Sequence, residues 1–438
     1  MAREMDNQGA PEARNVARRS PRFIPSSLDN VEPVEEYRPG GFYPMSLGDE
    51  FAQGRYKVLH KLGFGGSSTI WLARDRQQGA LVTLKAMRAD ASRTSQSPDE
   101  LPEIGVPKVL QRLYPDDFSA FFQAVKDNFL VQGANDIHRF LISRLAGPSV
   151  LAMSDSPGRI SGSRRLRADL AKHVAKHTAE TIRTLTIQRM HSAGFVHGDI
   201  TTSNILFRVT DNVTKWSADE VCSILRPPET DDPIANSIIT NPSFVQERTI
   251  LVDFGQSYAV DNRPEDYEPG TAMHYLAPET RFEARAGMEA DVWALGCAGF
   301  PLFEPFLGSD EDILRQTVET LGRLPAPWWD AFGQRKVWFD EDGSPISAED
   351  QKREGEDSGG SFTQASTSSI RDKLRSVGTE DDDVYDGHLA EQSGTRIPEQ
   401  EVEVFGDLLE KMMRYRPEER IKINEVVGHV WFANNGST

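Results

Sequence analysis

The sequence predicts an α+β protein with a strand-rich N-terminal part and a larger, mainly helical C-terminal part. Before residue 150, short runs of β-branched and aromatic residues alternate with glycine and proline, which is typical of strands and turns. After residue 150, apolar residues recur at helical spacing over longer segments. The chain has 438 residues, which is enough for two or three units of ordinary size or for one large two-lobed protein.

The N-terminal part contains four strand-like runs, at 56–59, 69–72, 81–85 and 140–142. The first two flank a glycine-rich turn, and the last is closed by Gly147 and Pro148, which favour a turn. Residues 1–35 are polar, with scattered proline, serine and charge, and are predicted to form a flexible tail.

The C-terminal part begins with a predicted amphipathic helix at 166–193, which ends beside Gly194. Its apolar face consists of Leu170, Val174, Ile182 and Leu185. Two further strands are predicted at 204–207 and 249–252, and the polar, proline-containing segment 209–248 is interpreted as an insert between them. Helices are predicted at 284–300 and 403–414, whereas the composition of 340–398, rich in Gly, Ser, Asp and Glu, predicts a second, disordered insert.

Charge and composition restrict the partners of the chain. The net charge is −18, which disfavours direct contact with nucleic acid and anionic membranes and favours basic partners. Cys222 and Cys297 have no metal-ligand spacing, which fits a reducing compartment such as the cytoplasm or nucleus. The longest apolar stretch, 293–303, falls short of the ~20 residues that cross a bilayer, and the N-terminus lacks the apolar core of a secretory signal.

Two N-terminal features can contribute to a phosphate site. Glycines in the turn Gly63-Phe64-Gly65-Gly66 allow the backbone to approach a ligand and point N–H groups at phosphates. Lys85 ends a strand, where a buried lysine would face a ligand phosphate and need a carboxylate partner. Taken alone, the turn is also typical of an ordinary hairpin, and the lysine of an ordinary surface residue.

Two C-terminal motifs can supply catalysis and metal binding. In His197-Gly198-Asp199, the aspartate is followed five residues later by Asn204, so a carboxylate that orients a hydroxyl proton lies near a metal-binding amide oxygen. His197 is interpreted as a core residue. Asp253-Phe254-Gly255 follows an apolar run, and Asp253 can hold Mg²⁺ against phosphates, although this tripeptide alone is usually a turn.

The order of these motifs, followed by Ala277-Pro278-Glu279, resembles that of eukaryotic protein kinases. The resemblance extends from about residue 43 to 432 outside the inserts and is strongest to the serine/arginine-rich protein-specific kinases. The residues that carry this closer likeness are 37–44, 48–49, 54–56, 62–65 and 68–72. It implies a bilobal kinase fold, with an N-lobe at 36–146 and a C-lobe at 147–438, and a monomeric serine/threonine kinase that phosphorylates basic, Arg/Ser-rich proteins.

The resemblance also implies roles for individual residues toward ATP and Mg²⁺. The phosphates and base would be covered by Gly63, Phe64, Gly65, Ser68 and Ile70. Lys85 would bind phosphates and pair with Glu103, or alternatively Glu100, although Pro102 and Pro107 are unusual in such a helix. Ser143 would be the gatekeeper, and the hinge from Arg144 to Ala146 would bind the base. Asp199 would be the catalytic base, Asn204 and Asp253 would hold Mg²⁺, Asp291 would brace the catalytic loop, and Glu279 would pair with Arg420.

The sequence departs from the family pattern at four positions. Gly198 replaces an arginine that receives an activation-loop phosphate, which implies activity without that phosphorylation. Thr201 replaces a lysine near the γ-phosphate, and Thr83 replaces a small residue over the adenine. Counting back from Glu279 puts Ala272 at the place of a substrate-loop threonine, which Thr271 could fill only with a one-residue insertion.

Two alternatives follow from these departures and from the catalytic motif. The altered positions 201 and 272 and the proline-containing helix would also fit a pseudokinase, a binding or scaffold module with a kinase fold. The His-Gly-Asp motif with its asparagine also resembles small-molecule phosphotransferases, although the segments 277–279 and 291–296 favour a protein kinase.

Overall fold

The computed structural model describes residues 32–92, 97–116, 118–154, 166–186, 194–225, 244–264, 267–285, 287–304, 309–357, 363–379 and 394–433. Within these ranges the chain forms a β-sheet lobe followed by a larger helical lobe, so the predicted α+β class is confirmed. The predicted boundaries of the two lobes stay a prediction.

The N-terminal lobe is built on one antiparallel sheet of six strands in the order β1-β2-β3-β4-β6-β5. Alternate side chains of its central strands pack into a core with Tyr56, Trp71, Leu84 and Phe140 at its centre. The strands are β1 (Glu50–Phe51), β2 (Tyr56–Phe64), β3 (Ser68–Asp75), β4 (Ala80–Met87), β5 (Val125–Gln132) and β6 (Ile137–Arg144).

Two helices lie between β4 and β5, namely α1 (Pro102–Leu113) and the short α2 (Phe118–Phe121). Pro102 is the first residue of α1, where its missing N–H costs nothing and its fixed φ favours helix formation. Pro107 lies inside the helix and is buried, so only this proline removes an internal hydrogen bond. The helix therefore forms despite both prolines.

The described part of the C-terminal lobe is mainly helical, with two short antiparallel strand pairs. Its elements are α3 (Val150–Ser154), α4 (Ala168–Thr186), β7 (Phe195–Val196), β8 (Ile205–Val209), α5 (Ala218–Leu225), β9 (Val245–Leu251), β10 (Tyr258–Ala259), α6 (Pro278–Glu283), α7 (Met288–Gly299), α8 (Asp310–Leu321), α9 (Ala326–Ala331), α10 (Ala348–Asp357), α11 (Ile370–Ser376), α12 (Glu399–Met412), α13 (Ile423–Val427) and α14 (Val430–Ala433).

The core of this lobe explains why α7 has apolar residues on all its faces. Helix α7 is covered by neighbours on several sides, and Val292, Trp293 and Leu295 are all buried. They share one hydrophobic cluster with residues of α4 and α12. The strand β8 pairs with β9, and β7 pairs with β10, so an antiparallel strand pair fixes the start of the loop after β7 and of the loop after β9.

A polar insert between β8 and β9 contributes helix α5, which the sequence did not predict. Val221 of α5 is fully buried and packs with Leu72 of β3 and Leu81 of β4 in the other lobe. Leu59, Leu62, Leu145 and Trp216 line the same cluster, which we call the insert cluster. The insert thus connects the two lobes beside the segment that joins them. Residues 226–243 of the predicted insert lie outside the described residues.

Two segments that the sequence predicted to be disordered or flexible contain ordered residues. Disorder across 340–398 is wrong for α10 and α11, and α11 begins with a capping box between Ser369 and Asp372. The flexible tail is wrong at its end, because Glu32 is buried and bonded to Tyr37 and Lys61. The remaining residues of the tail, and 187–193 at the end of the predicted long helix, lie outside the described residues.

Candidate active site

The glycine-rich turn joins β2 and β3 above the cleft between the lobes. A Cβ atom added to Gly63, Gly65 or Gly66 would meet no other atom within 4 Å, so the backbone here borders open space. The turn is closed by a hydrogen bond from the Gly65 N–H to the Ser68 carbonyl oxygen, 2.8 Å long. Phe64 is exposed at the tip, whereas Ser68 is buried. Behind the turn, Ile70 is paired with Lys85 across β3 and β4.

Lys85 lies between two carboxylates. Its Nζ is 3.1 Å from Glu103 Oε1 and 3.0 Å from Asp253 Oδ1. Glu103, on the first turn of α1, is therefore the partner of Lys85, and Asp253 comes from the loop after β9. The structure thus brings together one residue from each of three segments that are far apart in sequence.

Burial and charge set the protonation of this triad. Burial alone would lower the pKa of Lys85, but the charges of Asp253 and Glu103 outweigh it and raise the pKa. Burial alone would raise the pKa of Asp253, but Lys85 lowers it to about 2. Burial, together with the charge of Asp253, raises the pKa of Glu103 to about 7. The lysine is therefore held charged, and the two carboxylates differ in their affinity for a proton.

Asp253 has a strained backbone. Its φ of 61° and ψ of 74° lie in the left-handed region, which non-glycine residues rarely adopt. The Gly255 N–H donates to Asp253 Oδ1, and the ring of Phe254 is buried against α1 and α2, with His197 on another side. These contacts hold the carboxylate of Asp253 beside Lys85.

The loop after β7 carries Asp199 and is anchored from below by Asp291 of α7. Asp291 Oδ2 accepts the His197 N–H at 2.7 Å, and its Oδ1 accepts the Gly198 N–H at 3.0 Å. Burial raises the pKa of Asp291 to about 7. The sequence-based role of Asp291 as a brace for this loop agrees with these two hydrogen bonds.

His197 is a core residue, as interpreted from the sequence. Its ring is buried, its Nδ1 accepts the Asp199 N–H, and its Nε2 faces the Val252 carbonyl oxygen at 3.1 Å. This pattern requires a neutral ring with the proton on Nε2. Burial lowers the pKa of His197, in agreement with the neutral form. The histidine therefore links the catalytic loop to the end of β9.

Both carboxylate oxygens of Asp199 accept hydrogen bonds. Asn204 Nδ2 donates to Asp199 Oδ2 at 2.8 Å, and the Thr271 hydroxyl donates to Asp199 Oδ1 at 2.6 Å. Thr271, and not Ala272, therefore lies at the position expected for a substrate-loop threonine. Counting back from Glu279 missed it because the segment 271–279 contains one more residue than the pattern assumes. The sequence signal that could have identified Thr271 was the presence of a threonine shortly before the Ala-Pro-Glu motif.

The predicted metal ligands are neighbours. The Val252 N–H donates to the Asn204 carbonyl oxygen at 3.0 Å, which places Asn204 next to the loop that carries Asp253. Because Asn204 Nδ2 is turned to Asp199, its Oδ1 is the side-chain atom left to bind a cation. An amide oxygen and a carboxylate are hard oxygen ligands of the kind that Mg²⁺ prefers. This donor set fits Mg²⁺.

The segment that joins the lobes begins at the end of β6. Thr83 and Val82 of β4 pair with Ser143 and Arg144, respectively. The carbonyl oxygen of Arg144 accepts a hydrogen bond from the side-chain amide of Gln123. Beyond Ala146, the chain follows β8, where the Gly147 N–H donates to the Phe207 carbonyl oxygen at 2.8 Å.

A buried ion pair joins α6 to the segment that precedes α13. Arg420 Nη1 and Nη2 donate to Glu279 Oε1 and Oε2 at 2.8 and 2.9 Å, and both side chains are almost fully buried. Bidentate geometry of this kind fixes the orientation of both side chains. Among the departures from the family pattern, Thr201 lies between Asp199 and Asn204 and is buried.

Comparison with known proteins identifies the family. A protein-family model described as "Protein kinase domain" matches residues 56–432. The chain belongs to the protein kinase domain family. The family resemblance that the sequence indicated is confirmed.

The chain is similar to curated kinases from fungi and animals. Serine/threonine-protein kinase SKY1 of Saccharomyces cerevisiae is 29% identical over 196 residues, which is 42% of this chain and 24% of the relative. SRSF protein kinase 3 of Mus musculus is 31% identical over 138 residues, or 30% of this chain and 24% of the relative. A serine/threonine protein kinase of Aspergillus fumigatus is 25% identical over 72% of this chain and 78% of the relative.

The first of these matches cover only part of each relative. The aligned region spans about a quarter of SKY1 and 40% of the protein kinase dsk1 of Schizosaccharomyces pombe. Among the described residues of this kinase domain protein, no helix is long and apolar enough to cross a membrane.

Proposed function

We propose that this protein is an ATP-dependent serine/threonine kinase that phosphorylates basic, Arg/Ser-rich proteins. The observation that carries the proposal is the meeting of Lys85, Glu103 and Asp253 beside a loop in which Asp199 is bonded to both Asn204 and Thr271. A module that had lost phosphoryl transfer would not need to preserve all of these contacts.

The residues of the candidate active site have separate roles in the proposed reaction. Asn204 Oδ1 and the Asp253 carboxylate would hold Mg²⁺, which when bound neutralises phosphate charge and orients ATP. The Gly63–Gly66 turn would cover the phosphates, with Phe64, Ser68 and Ile70 around them, and the segment from Arg144 to Ala146 would bind the base. Lys85, held by Glu103, offsets negative charge on the phosphates.

Asp199 acts on the acceptor side of the reaction. Its carboxylate accepts the proton of the substrate hydroxyl or orients that hydroxyl in line with the transferred phosphoryl group. Thr271 and Asn204 each hold one oxygen of this carboxylate, so its orientation is fixed before substrate binds. Most of the catalysis is positioning and charge stabilisation, for which such preorganisation is required.

The substrate class rests on charge and on the relatives. The net charge of −18 favours basic substrates, and one similar protein carries the name SRSF protein kinase 3. We expect the protein to act as a monomer in the cytoplasm or nucleus, without direct contact with nucleic acid.

Radiolabel transfer from ATP tests the proposal. We expect purified protein with Mg²⁺ to label an Arg-Ser repeat peptide faster than a generic basic protein. The Lys85→Met and Asp199→Asn variants should each lose at least about 10²-fold in turnover, because charge stabilisation and proton acceptance are lost. The exposed Lys336→Met variant is the matched control and should retain wild-type activity.

A thermal shift with Mg²⁺-ATP separates the alternatives. Stabilisation by the intact nucleotide without label transfer to any protein would establish a binding module and refute the kinase proposal. Transfer to an aminoglycoside or choline instead of a protein would indicate a small-molecule phosphotransferase.

A further inference from the structure

Gly198 leaves no room for a side chain in the catalytic loop. Its φ is +79°, and a Cβ built on it would lie 2.7 Å from the Tyr267 hydroxyl oxygen and 2.7 Å from the Gln256 carbonyl oxygen. Real Cβ atoms do not approach other atoms this closely. The space in which a side chain at position 198 would begin is therefore filled by the end of the Tyr267 ring.

Tyr267 comes from the segment that runs from the Asp253 loop to α6. Its ring packs edge-on against Tyr258 of β10, with 4.7 Å between ring centroids. Its hydroxyl is buried and has no hydrogen-bond partner among the described residues. Burial, together with the neighbouring Tyr258, Asp291 and Asp199, raises the pKa of Tyr267, so the hydroxyl stays neutral. The contribution of Tyr267 therefore comes from the packing of its ring.

The same segment touches the catalytic loop again four residues later. The Thr271 hydroxyl donates to the Gly198 carbonyl oxygen at 2.8 Å, in addition to its bond to Asp199. Next to it, Gly270 lies against the side-chain amide of Gln256, where an added Cβ would be 2.6 Å from Nε2. Residues 267–271 thus rest on both sides of the Gly198 backbone.

We propose that Tyr267 is a positioning residue for phosphoryl transfer. Its ring packs against Gly198 and holds the segment 267–271 in the position in which the Thr271 hydroxyl donates a hydrogen bond to Asp199. The contact lies within the chain and involves neutral groups, so the segment needs no phosphate to reach this position. The inference rests on the kinase function proposed above and identifies what keeps its acceptor side in place.

Truncation of the ring tests the proposal. We expect Tyr267→Ala to lower kcat on a peptide substrate about 10- to 100-fold, because Thr271 and Asp199 lose their alignment. The KM for ATP should not change, because Tyr267 does not contact the Lys85 side of the cleft. Tyr267→Phe, which keeps the ring and removes only an unpaired hydroxyl, should stay within about twofold of wild type in kcat. Glu268→Ala, at the exposed neighbouring position, is the matched control.

Coupling to Thr271 distinguishes positioning from general destabilisation. If Tyr267 acts through Thr271, the Tyr267→Ala/Thr271→Val double variant should lose no more kcat than Thr271→Val alone. Fully additive losses would overturn the proposal, as would wild-type kcat in Tyr267→Ala or an equal loss in Tyr267→Phe.

Hydrogen exchange gives a readout that does not need activity. The amides of residues 270–275 should exchange faster in Tyr267→Ala than in wild type or Tyr267→Phe. Unchanged exchange would overturn the positioning role even if the wild-type protein were inactive on every peptide. If the wild-type protein is inactive but the amides of Tyr267→Ala still exchange faster than those of wild type, only the proposed kinase function is refuted.

Discussion

At the scale of single residues, the site depends on a lysine shared by two carboxylates. Lys85 contacts Glu103 and Asp253 at nearly equal distances, and one positive charge cannot fully compensate two buried negative charges. The more exposed carboxylate, that of Asp253, stays ionised, whereas the pKa of Glu103 is raised to about 7. Near neutral pH, the Lys85–Glu103 pair is therefore sensitive to pH.

We predict a pH-dependent effect of Glu103→Gln on stability. Because the pKa of Glu103 rises from 4.5 to about 7 on folding, its contribution is fully present below pH 4.5 and is lost as pH rises through 7. Gln cannot titrate. Between about pH 5.5 and about pH 8, the free energy of unfolding of the variant should therefore rise by about 1–2 kcal/mol relative to wild type.

Denaturant unfolding of both proteins without nucleotide measures this difference. Asp291 also titrates near neutral pH, but it is present in both proteins and cancels in the comparison. If the difference in free energy of unfolding between the two proteins stays constant with pH, Glu103 is already ionised in the folded protein at about pH 5.5, which would contradict the prediction.

Residues close to a strong local signal could be predicted from the sequence. Lys85, Asp199, Asn204 and Asp253 follow strands or stand at a fixed spacing, and the structure brings them into one cleft. Thr271 was missed because its role depends on the path of the chain between Asp253 and α6, which spacing alone does not give. Tyr267 was invisible for the same reason, since its contact with Gly198 joins residues 69 positions apart.

At the scale of elements, the insert between β8 and β9 has a structural role in both lobes. Helix α5 starts in the C-terminal lobe, yet Val221 is buried against Leu72 and Leu81 of the N-terminal sheet. These two leucines stand two positions from Ile70 and Thr83 and so lie on the same face of the sheet as those residues, and Leu145 belongs to the segment that joins the lobes. The insert cluster therefore supports the outer side of the nucleotide cleft.

We predict that Val221→Ala weakens Mg²⁺-ATP binding as well as folding. Removal of its buried methyl groups should cost about 1–3 kcal/mol of stability. The loss loosens the packing beside Ile70 and Thr83, so the nucleotide Kd should rise several-fold. Titration calorimetry and thermal melting measure the two effects. Asp219→Ala, exposed on the same helix, is the control, and an unchanged Kd in Val221→Ala would contradict the proposed support.

Elements with a strong apolar pattern could be predicted from the sequence, whereas elements with a weak apolar pattern could not. The run at 140–142 is apolar and was recognised, whereas its neighbour β5 is half-exposed and mixes Lys126, Asp127 and Asn128 with apolar residues. Helices α5, α10 and α11 are short, and α10 and α11 are rich in charged residues. Helices α5 and α11 bury a few side chains, such as Val221 and Leu374, against other elements. Amino-acid composition indicates the polarity of such segments but not the surface against which they pack.

At the scale of the whole molecule, the acidic charge is the property most relevant to substrate encounter. A net charge of −18 creates a long-range attraction for arginine-rich chains, which raises their rate of association. At physiological ionic strength, salt largely screens this attraction beyond a Debye length of about 8 Å. The contribution of charge can therefore be separated from that of local contacts.

We predict that the salt dependence of kcat/KM grows with the number of arginines in the substrate. Raising salt from about 50 mM to about 300 mM should lower kcat/KM more steeply for a peptide of about eight Arg-Ser repeats than for one of about four. Steady-state kinetics at matched serine concentration measure both slopes. Parallel slopes would show that arginines beyond the first few repeats do not contribute to attraction by the charge of the protein.

The pairing of β8 with β9 has a consequence for how this chain can vary. Val209 and Val245 face each other across the two strands, so the intervening segment leaves and re-enters the lobe at one point. Because the cost of closing a loop grows only slowly with its length, residues can be added or removed between α5 and β9 while Asn204 and Asp253 stay in register. A recognition or regulatory sequence can thus be accommodated a few residues from the reaction centre without displacing it.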